Sequence, residues 1–153
     1  MLKRITALFL TIAVTWTSLP VSVCAEENLE MAAVDIEEEM YYDSLELLAI
    51  CVEAEAGNQG LEGKRMVADV ILNRVDDVDW PDDIVGVISQ PYHFTSYWDG
   101  SMERAVPSEE TFEAVRMELQ ERSWPGLYYF TSDGYSKYGT PWQQVGDHYF
   151  STK

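Results

Sequence analysis

The sequence predicts an α+β domain, mostly helical, with a short antiparallel β element near its C-terminal end. Three features predict it. Apolar residues recur at helical spacing in separated stretches between Leu45 and Leu119. Two short aromatic runs, Leu127-Tyr128-Tyr129-Phe130-Thr131 and His148-Tyr149-Phe150, come only after those stretches and suit strands. Glycine-rich sequence lies between the runs, so a loop is expected there.

The folded part is expected to begin near Tyr41. Asp43 with Glu46 three residues on makes a capping-box-like start; Leu45, Leu48, Ala49, Val52 and Ala56 then form an apolar stripe, and Gly57 supplies a stop. A second helix is expected from about Glu62 to Val75, with Met66, Val67, Val70, Ile71 and Arg74 on one side. Pro81 suits the first position of a short third helix through Asp82, Ile84, Val85 and Ile88. Gln90-Pro91 breaks it, and His93 to Trp98 reads as a strand or irregular aromatic loop before a turn at Asp99-Gly100. Pro107-Ser108-Glu109-Glu110 opens a fourth helix carrying Phe112, Val115, Met117 and Leu119 to about Arg122. Trp124-Pro125-Gly126 leads into the strands.

At 153 residues, one domain is the expectation, large enough to build a core without metal or disulfides. The formal net charge of −17 excludes a nucleic-acid binder, because phosphate backbones are bound by Lys and Arg stripes that are missing. An anionic membrane surface is disfavoured for the same reason. Disorder of the whole chain is excluded by 46% hydrophobic content with five Trp and nine Tyr.

Residues 1–25 read as an export signal: Lys3 and Arg4 give a basic start, Ile5 to Val14 an apolar run, and Val23-Cys24-Ala25 a small-residue cleavage pattern. Membrane contact is expected only if this segment stays uncleaved, and the run is short of the roughly 20 residues a span needs. Cleavage leaves 128 residues with 8 basic and 27 acidic side chains, and leaves Cys51 without a partner for an intramolecular disulfide. Cys51 reads as a small buried hydrophobe rather than a nucleophile. Glu26 to Met40 has no basic or aromatic residue and reads as a flexible acidic leader, with a helix docked on the body as the alternative. The body is then 41–153.

The chemistry-bearing signal lies at the end of the first helix. At about 100° per residue, Glu46 and Glu53 share the polar side, whereas Glu55 falls on the edge of the apolar stripe. Glu53 is therefore expected to be solvated and Glu55 partly desolvated, which raises a carboxyl pKa toward the range of a general acid. An acid at a helix end bonded to a nearby amide would give the same pattern. The aromatic density from Phe94 to Phe150 suits a groove for sugar rings as well as a core. His93 and His148 are the only histidines, so no metal site rich in His is expected, and no cofactor.

The order of blocks resembles a known family. Ala54-Glu55-Ala56-Gly57, Glu62-Gly63 and Val70-Ile71-Leu72-Asn73-Arg74-Val75 are followed by Trp80-Pro81, Val85-Gly86-Val87-Ile88, Gln90-Pro91 with Phe94, Leu127-Tyr128-Tyr129-Phe130 and Gly146-Asp147-His148-Tyr149-Phe150. This series is similar to the cell-wall hydrolases typified by the spore cortex-lytic enzymes SleB and CwlJ. The resemblance implies a small lysozyme-like domain outside the cytoplasm, acting on peptidoglycan glycan strands, with Glu55 as the catalytic acid. Family members often carry Arg or Lys after the second alanine, where this chain has Gly57-Asn58. No peptidoglycan-binding module is expected ahead of Tyr41, and no protein partner is indicated.

The implied reaction is cleavage of the β-1,4 bond between muramic-type and glucosamine-type sugars. Glycosidases with two carboxylates hold them about 5–9.5 Å apart. Glu62, Asp99 and Asp147 are candidates for the second, none in a context as marked as that of Glu55. A lytic transglycosylase, in which the substrate's own hydroxyl closes an anhydro ring, fits one marked acid better; a hydrolytic muramidase is the alternative. Phe94, Thr95, Tyr129 and His148 are candidate glycan contacts, and Asn73 and Arg74 suit either binding or a structural role. The rivals from other classes are a non-catalytic glycan-binding module and a metal-dependent amidase.

Overall fold

The computed structural model describes residues 21–153, with side chains described from residue 32 onward. The basic start and apolar run expected to direct export lie outside the described residues. The chain divides into two compact units, Met1–Ile36 and Glu37–Lys153. Of the first, residues 21–36 are described and are helical; the second holds the core and the site.

Helix α1 spans Val21–Ala56. It starts well before the Asp43–Glu46 pair, which therefore lies in the helix interior. The stretch 26–40, expected as a flexible leader, is helical. No Pro or Gly interrupts 21–56, Ala, Leu, Met and Glu are strong helix formers, and the packed C-terminal half supplies the nucleus from which a helix extends. Residues 32–43 are exposed. Burial begins at Leu45, and Leu48, Ala49, Cys51, Val52 and Ala56 carry it to the helix end. No helix among the described residues is long and apolar enough to cross a membrane.

Helix α2, Leu61–Val75, runs through the core, with Met66, Val67, Val70 and Ile71 fully buried. It packs on α6 (Glu109–Gln120), on β1 (Leu127–Thr131) and on α3 (Ile84–Ile88). Helix α3 begins three residues after Pro81, because Asp83 takes the cap and accepts the Gly86 N–H at 2.6 Å. The segment expected as a strand or loop is a helical turn instead: α4, Thr95–Trp98, followed by α5, Ser101–Arg104. Its backbone closes on itself, Asp99 N to Thr95 O at 3.0 Å, and Thr95 is the only β-branched residue in the run. Helix α6 starts where Ser108 accepts the Thr111 N–H.

Strands β1, β2 (Thr140–Val145) and β3 (His148–Thr152) form an antiparallel sheet in the order β1-β3-β2. Strand β2 lies inside the stretch expected as a loop. It is an almost wholly exposed edge strand, so nothing selects apolar alternation in it, and the edge position tolerates Pro141. Gly146 turns the chain from β2 to β3 at φ +56°, and the Gln59 side-chain oxygen occupies the place a Cβ would take. Gln59 also accepts from Asp147 N at 3.0 Å, tying the hairpin to the α1–α2 junction. Asn73 ties the strand base to α2, donating to the carbonyls of Trp124 and Leu127 at 2.8 Å each.

A second buried polar cluster joins α2 to α6. Glu118, fully buried, accepts from Arg65 Nε at 2.6 Å and from Ser123 N at 2.8 Å, while Asp69 accepts from Trp124 N at 2.6 Å. Asp69 Oδ1 finds no N–H or O–H donor, and a protonated Asp69 can itself donate to the neighbouring Glu118 carboxylate. Burial, reinforced by Glu118, pushes the Asp69 carboxyl up to about 7. Because the folded state holds this proton and the unfolded chain releases it near its ordinary 3.8, stability falls as pH rises from about 4 to about 7. Thermal melts at pH 5 and pH 8 are expected to show the higher Tm at pH 5, with Asp69→Asn flattening the difference. A Tm difference unchanged in Asp69→Asn would contradict a protonated Asp69.

Candidate active site

The last two turns of α1 place two glutamates in opposite environments. Glu53 accepts from Ser108 N at 3.3 Å and from the hydroxyls of Ser108 and Thr111, at the cap of α6. Burial alone would raise its pKa, but these hydrogen bonds and the Lys64 charge outweigh that and hold it below the usual carboxylate range. Glu53 is thus half-buried and clamped to α6, not solvated as its place on the helical wheel suggested. Glu55 is also half-buried, but its Oε1 has one side-chain donor, the Ser96 hydroxyl at 2.5 Å. Burial pushes its carboxyl up, the Asp99 charge adds to this, and the bonds from Ser96 oppose without reversing it. Two acids two residues apart titrate in opposite directions from the ordinary value.

Ser96 is held for this role by α4: it is buried one residue inside the helical turn, and fully buried Phe94 anchors the turn to the core. With Ser96 on Oε1, Oε2 is left to carry a transferable proton. Ser96→Ala removes a bond that lowers the Glu55 pKa. The alkaline limb of a Glu55-dependent rate is therefore expected to move to higher pH in that variant, with a lower plateau from lost orientation. An unmoved limb in the pH–rate profile would detach Ser96 from Glu55.

An aromatic cleft of about 430 Å³ is lined by Arg74, Tyr92, His93, Tyr129, Phe130, Lys137 and Tyr138 among others. Of the four residues expected to contact glycan, Tyr129 lines it. Thr95 is exposed at the start of α4, beside Ser96. Phe94 and His148 depart from the expectation. Phe94 has no exposed surface and packs 6.0 Å from Phe130, and His148 is 6% exposed between Phe130 and Phe150 at 5.2 and 6.0 Å. Both pack on Phe130, which lines the cleft, because large rings are worth more buried than exposed in so small a domain. Burial also lowers the His148 pKa.

Of the three candidate second carboxylates, only Asp99 acts on Glu55. Glu62 is exposed at the start of α2, and Asp147 accepts from Asn58 and Gln59 in the hairpin turn. Arg74 donates through Nε and Nη2 to Tyr128 O at 2.9 and 2.6 Å and stacks 4.3 Å from the Trp80 ring. Cys51 is buried, and burial with the Glu55 charge pushes its thiol far up, away from nucleophilic use. Among the described residues, no group of three or more His, Cys, Asp or Glu is arranged to hold a metal ion. A larger groove of about 720 Å³, including Met40, Leu47, Ile84 and Val85, lies toward the other end of the buried part of α1. Its acids Asp43, Asp82 and Asp83 are exposed, so none has the desolvation that sets Glu55 apart. Sequence reasoning missed Ser96, which carries no local signal because its partner lies 41 residues away.

Fold and site define a small, mostly helical α+β domain of the lysozyme-like class, with one half-buried glutamate fixed by the Ser96 hydroxyl and, apart from it, an aromatic cleft. The chain belongs to the cell wall hydrolase family, whose model matches residues 58–151 and so begins just after Glu55. The spore cortex-lytic enzymes of Oceanobacillus iheyensis and Bacillus subtilis are each 33% identical to it, over 125 and 117 residues. These matches cover 77% and 71% of this chain but 45% and 37% of those enzymes. The chain thus spans less than half the length of these relatives. The crystal structure of the catalytic domain of the Bacillus cereus SleB protein aligns with a TM-score of 0.63 at 27% identity, covering 72% of this chain and 91% of that domain. The catalytic domain of the germination-specific lytic transglycosylase SleB from Bacillus anthracis aligns with a TM-score of 0.61, also at 27% identity, covering 71% and 93%.

Proposed function

We propose that the chain cleaves the β-1,4 glycosidic bond of peptidoglycan glycan strands as a lytic transglycosylase, with Glu55 as general acid and then base. The observation that carries this reading is the Glu55 carboxyl itself, raised by burial and oriented by the Ser96 hydroxyl. Protonated Oε2 gives its proton to the glycosidic oxygen as the C1–O bond breaks. The C6 hydroxyl of the same muramic residue attacks C1, its proton passes to the Glu55 carboxylate, and the 1,6-anhydro ring closes with the acid regenerated. The descriptions of the relatives as cortex-lytic, and of one neighbour as a lytic transglycosylase, support the substrate class and the reaction. Tyr129 and Thr95 are the contacts best placed for glycan, and residues 1–25 direct the chain out of the cytoplasm, leaving 41–153 as the catalytic domain.

A hydrolytic muramidase is the second reading, and Asp99 is the observation that favours it, being an exposed carboxylate whose charge reaches Glu55. A purely glycan-binding module has no use for a desolvated acid. The test is to incubate residues 26–153 with purified sacculi and read the fragment ends by mass spectrometry. Anhydro-muramic ends are expected. Reducing ends would move the assignment to hydrolysis, and binding without release would leave a binding module.

A further inference from the structure

Tyr92 stands in a backbone conformation that suits glycine. The His93 N–H donates to Gln90 O at 3.2 Å and closes a turn with Pro91 in its second position and Tyr92 in its third, at φ +70°. This is the type II arrangement, whose third position needs a left-handed φ and is ordinarily filled by Gly or Asn. Among the described residues, Tyr92 is the one non-glycine with a positive φ. Packing would offset the cost of that conformation. Phe94, two residues on, is fully buried, but the Tyr92 side chain is 100% exposed. Folding alone therefore gives no reason for an aromatic residue at this position.

The turn presents the ring at the aromatic cleft, which Tyr92 lines together with Tyr129 and Tyr138. The cleft rings are held in place. Gly139, at φ +71°, makes room for Tyr129, since a Cβ there would lie 2.9 Å from two of its ring carbons. The Trp80 and Tyr138 rings flank Tyr129 at 6.3 and 6.1 Å. Tyr138 is exposed, with the Lys137 ammonium 4.9 Å over its face. Asp133, Ser136 and Lys137 add polar groups to the aromatic lining. Such a surface suits a sugar ring, whose C–H face packs on an aromatic face while its hydroxyls bond to polar groups at the edge. One contact ties the cleft to the turn that orients Glu55: Phe130, which lines the cleft, packs 6.0 Å from Phe94, the N-cap of α4.

We propose that Tyr92 is a glycan-binding residue of this cleft, its ring taking the apolar face of an N-acetylglucosamine-type sugar of the strand. The inference rests on the glycan-strand reading and deepens it by naming the sugar the cleft takes. That sugar is neutral, so a protein of net charge −17 does not repel it. Unlike its muramic neighbour it carries no peptide, and its face is free to lie on an exposed ring.

The test is to titrate isotope-labelled residues 26–153 with the β-1,4-linked tetramer of N-acetylglucosamine, following the resonances of Tyr129 and Tyr138. Saturable shifts are expected. Tyr92→Ala is expected to weaken binding about tenfold, the scale of one aromatic contact, and Tyr92→Trp to retain it. Tyr92→Gly is expected to weaken binding as much as Tyr92→Ala while raising Tm by about 3 °C, because glycine relieves the left-handed turn. A tyrosine kept for stability would give the reverse. Equal affinity in the parent and Tyr92→Ala, no saturable shift at Tyr129 and Tyr138, or a lower Tm in Tyr92→Gly would overturn the assignment. The tetramer contains no muramic sugar, so this result is independent of turnover: tetramer binding without release from sacculi sinks the catalytic reading alone, and release with binding indifferent to Tyr92 sinks the Tyr92 assignment alone.

Discussion

Glu55→Gln is expected to lower glycan release by about 10²–10⁴-fold, the range a positioned general acid supplies, while the domain stays folded. The amide keeps the shape and can still accept the Ser96 hydroxyl, so what is lost is the transferable proton. Because the folded state raises the Glu55 pKa, ionised Glu55 opposes folding at neutral pH, and the neutral amide is expected to leave Tm unchanged or higher. Glu53→Gln should behave in the opposite way. It weakens the acceptor for Ser108 and Thr111 and lowers Tm, because Glu53 joins α1 to the α6 cap. Dye release from labelled sacculi and thermal melts on both variants check the pair. Activity of Glu55→Gln within tenfold of the parent would place the chemistry elsewhere, with Asp99 next in line.

Glu118→Ala is expected to destabilise the domain by about 3–5 kcal/mol, more than any of the other substitutions named above. Its carboxylate is fully buried and accepts from Arg65 and from Ser123 N, so truncation leaves a cation and a backbone donor without their partner. Arg65 keeps its bond to the Ser123 hydroxyl and its contact 5.2 Å over the Trp124 ring, which limit the loss but do not replace the charged acceptor. In a domain of this size the change corresponds to a fall in Tm of about 10 °C or more. Glu118→Ala also removes the carboxylate to which protonated Asp69 donates, so the fall in stability between about pH 4 and about 7 should shrink with it. A Tm within about 3 °C of the parent would show that the cluster contributes little.

How far such features are legible in the sequence depends on how far apart in the chain their partners lie. Helix α2 is legible because Met66, Val67, Val70 and Ile71 repeat at the helical period and face one core, and β1 and β3 because their aromatic runs have no other use. The N-terminal extension of α1 is not, since acidic composition speaks of solvation and not of the absence of a helix breaker. Strand β2 escapes because an exposed edge strand needs only backbone pairing with β3. At the site, the split between Glu53 and Glu55 is half legible. The helical wheel puts Glu55 against apolar neighbours, but the clamp on Glu53 comes from Ser108 and Thr111, 55 and 58 residues away, and the Ser96 bond from 41 away. Phe94 and His148 are buried against expectation for a related reason: an aromatic run does not say which rings face the cleft and which face the core.

The proposed reaction requires Glu55 to be poised as an acid, which burial gives it and the clamp at the α6 cap denies Glu53 two residues away. The most direct measurement is a carbon-13 NMR titration of both side-chain carboxyls in residues 26–153, in one series of spectra. Glu55 is predicted to titrate above the ordinary glutamate value and Glu53 below it, with Ser96→Ala raising Glu55 further and leaving Glu53 in place. Glu55 titrating at or below the ordinary value, or in step with Glu53, would contradict that requirement.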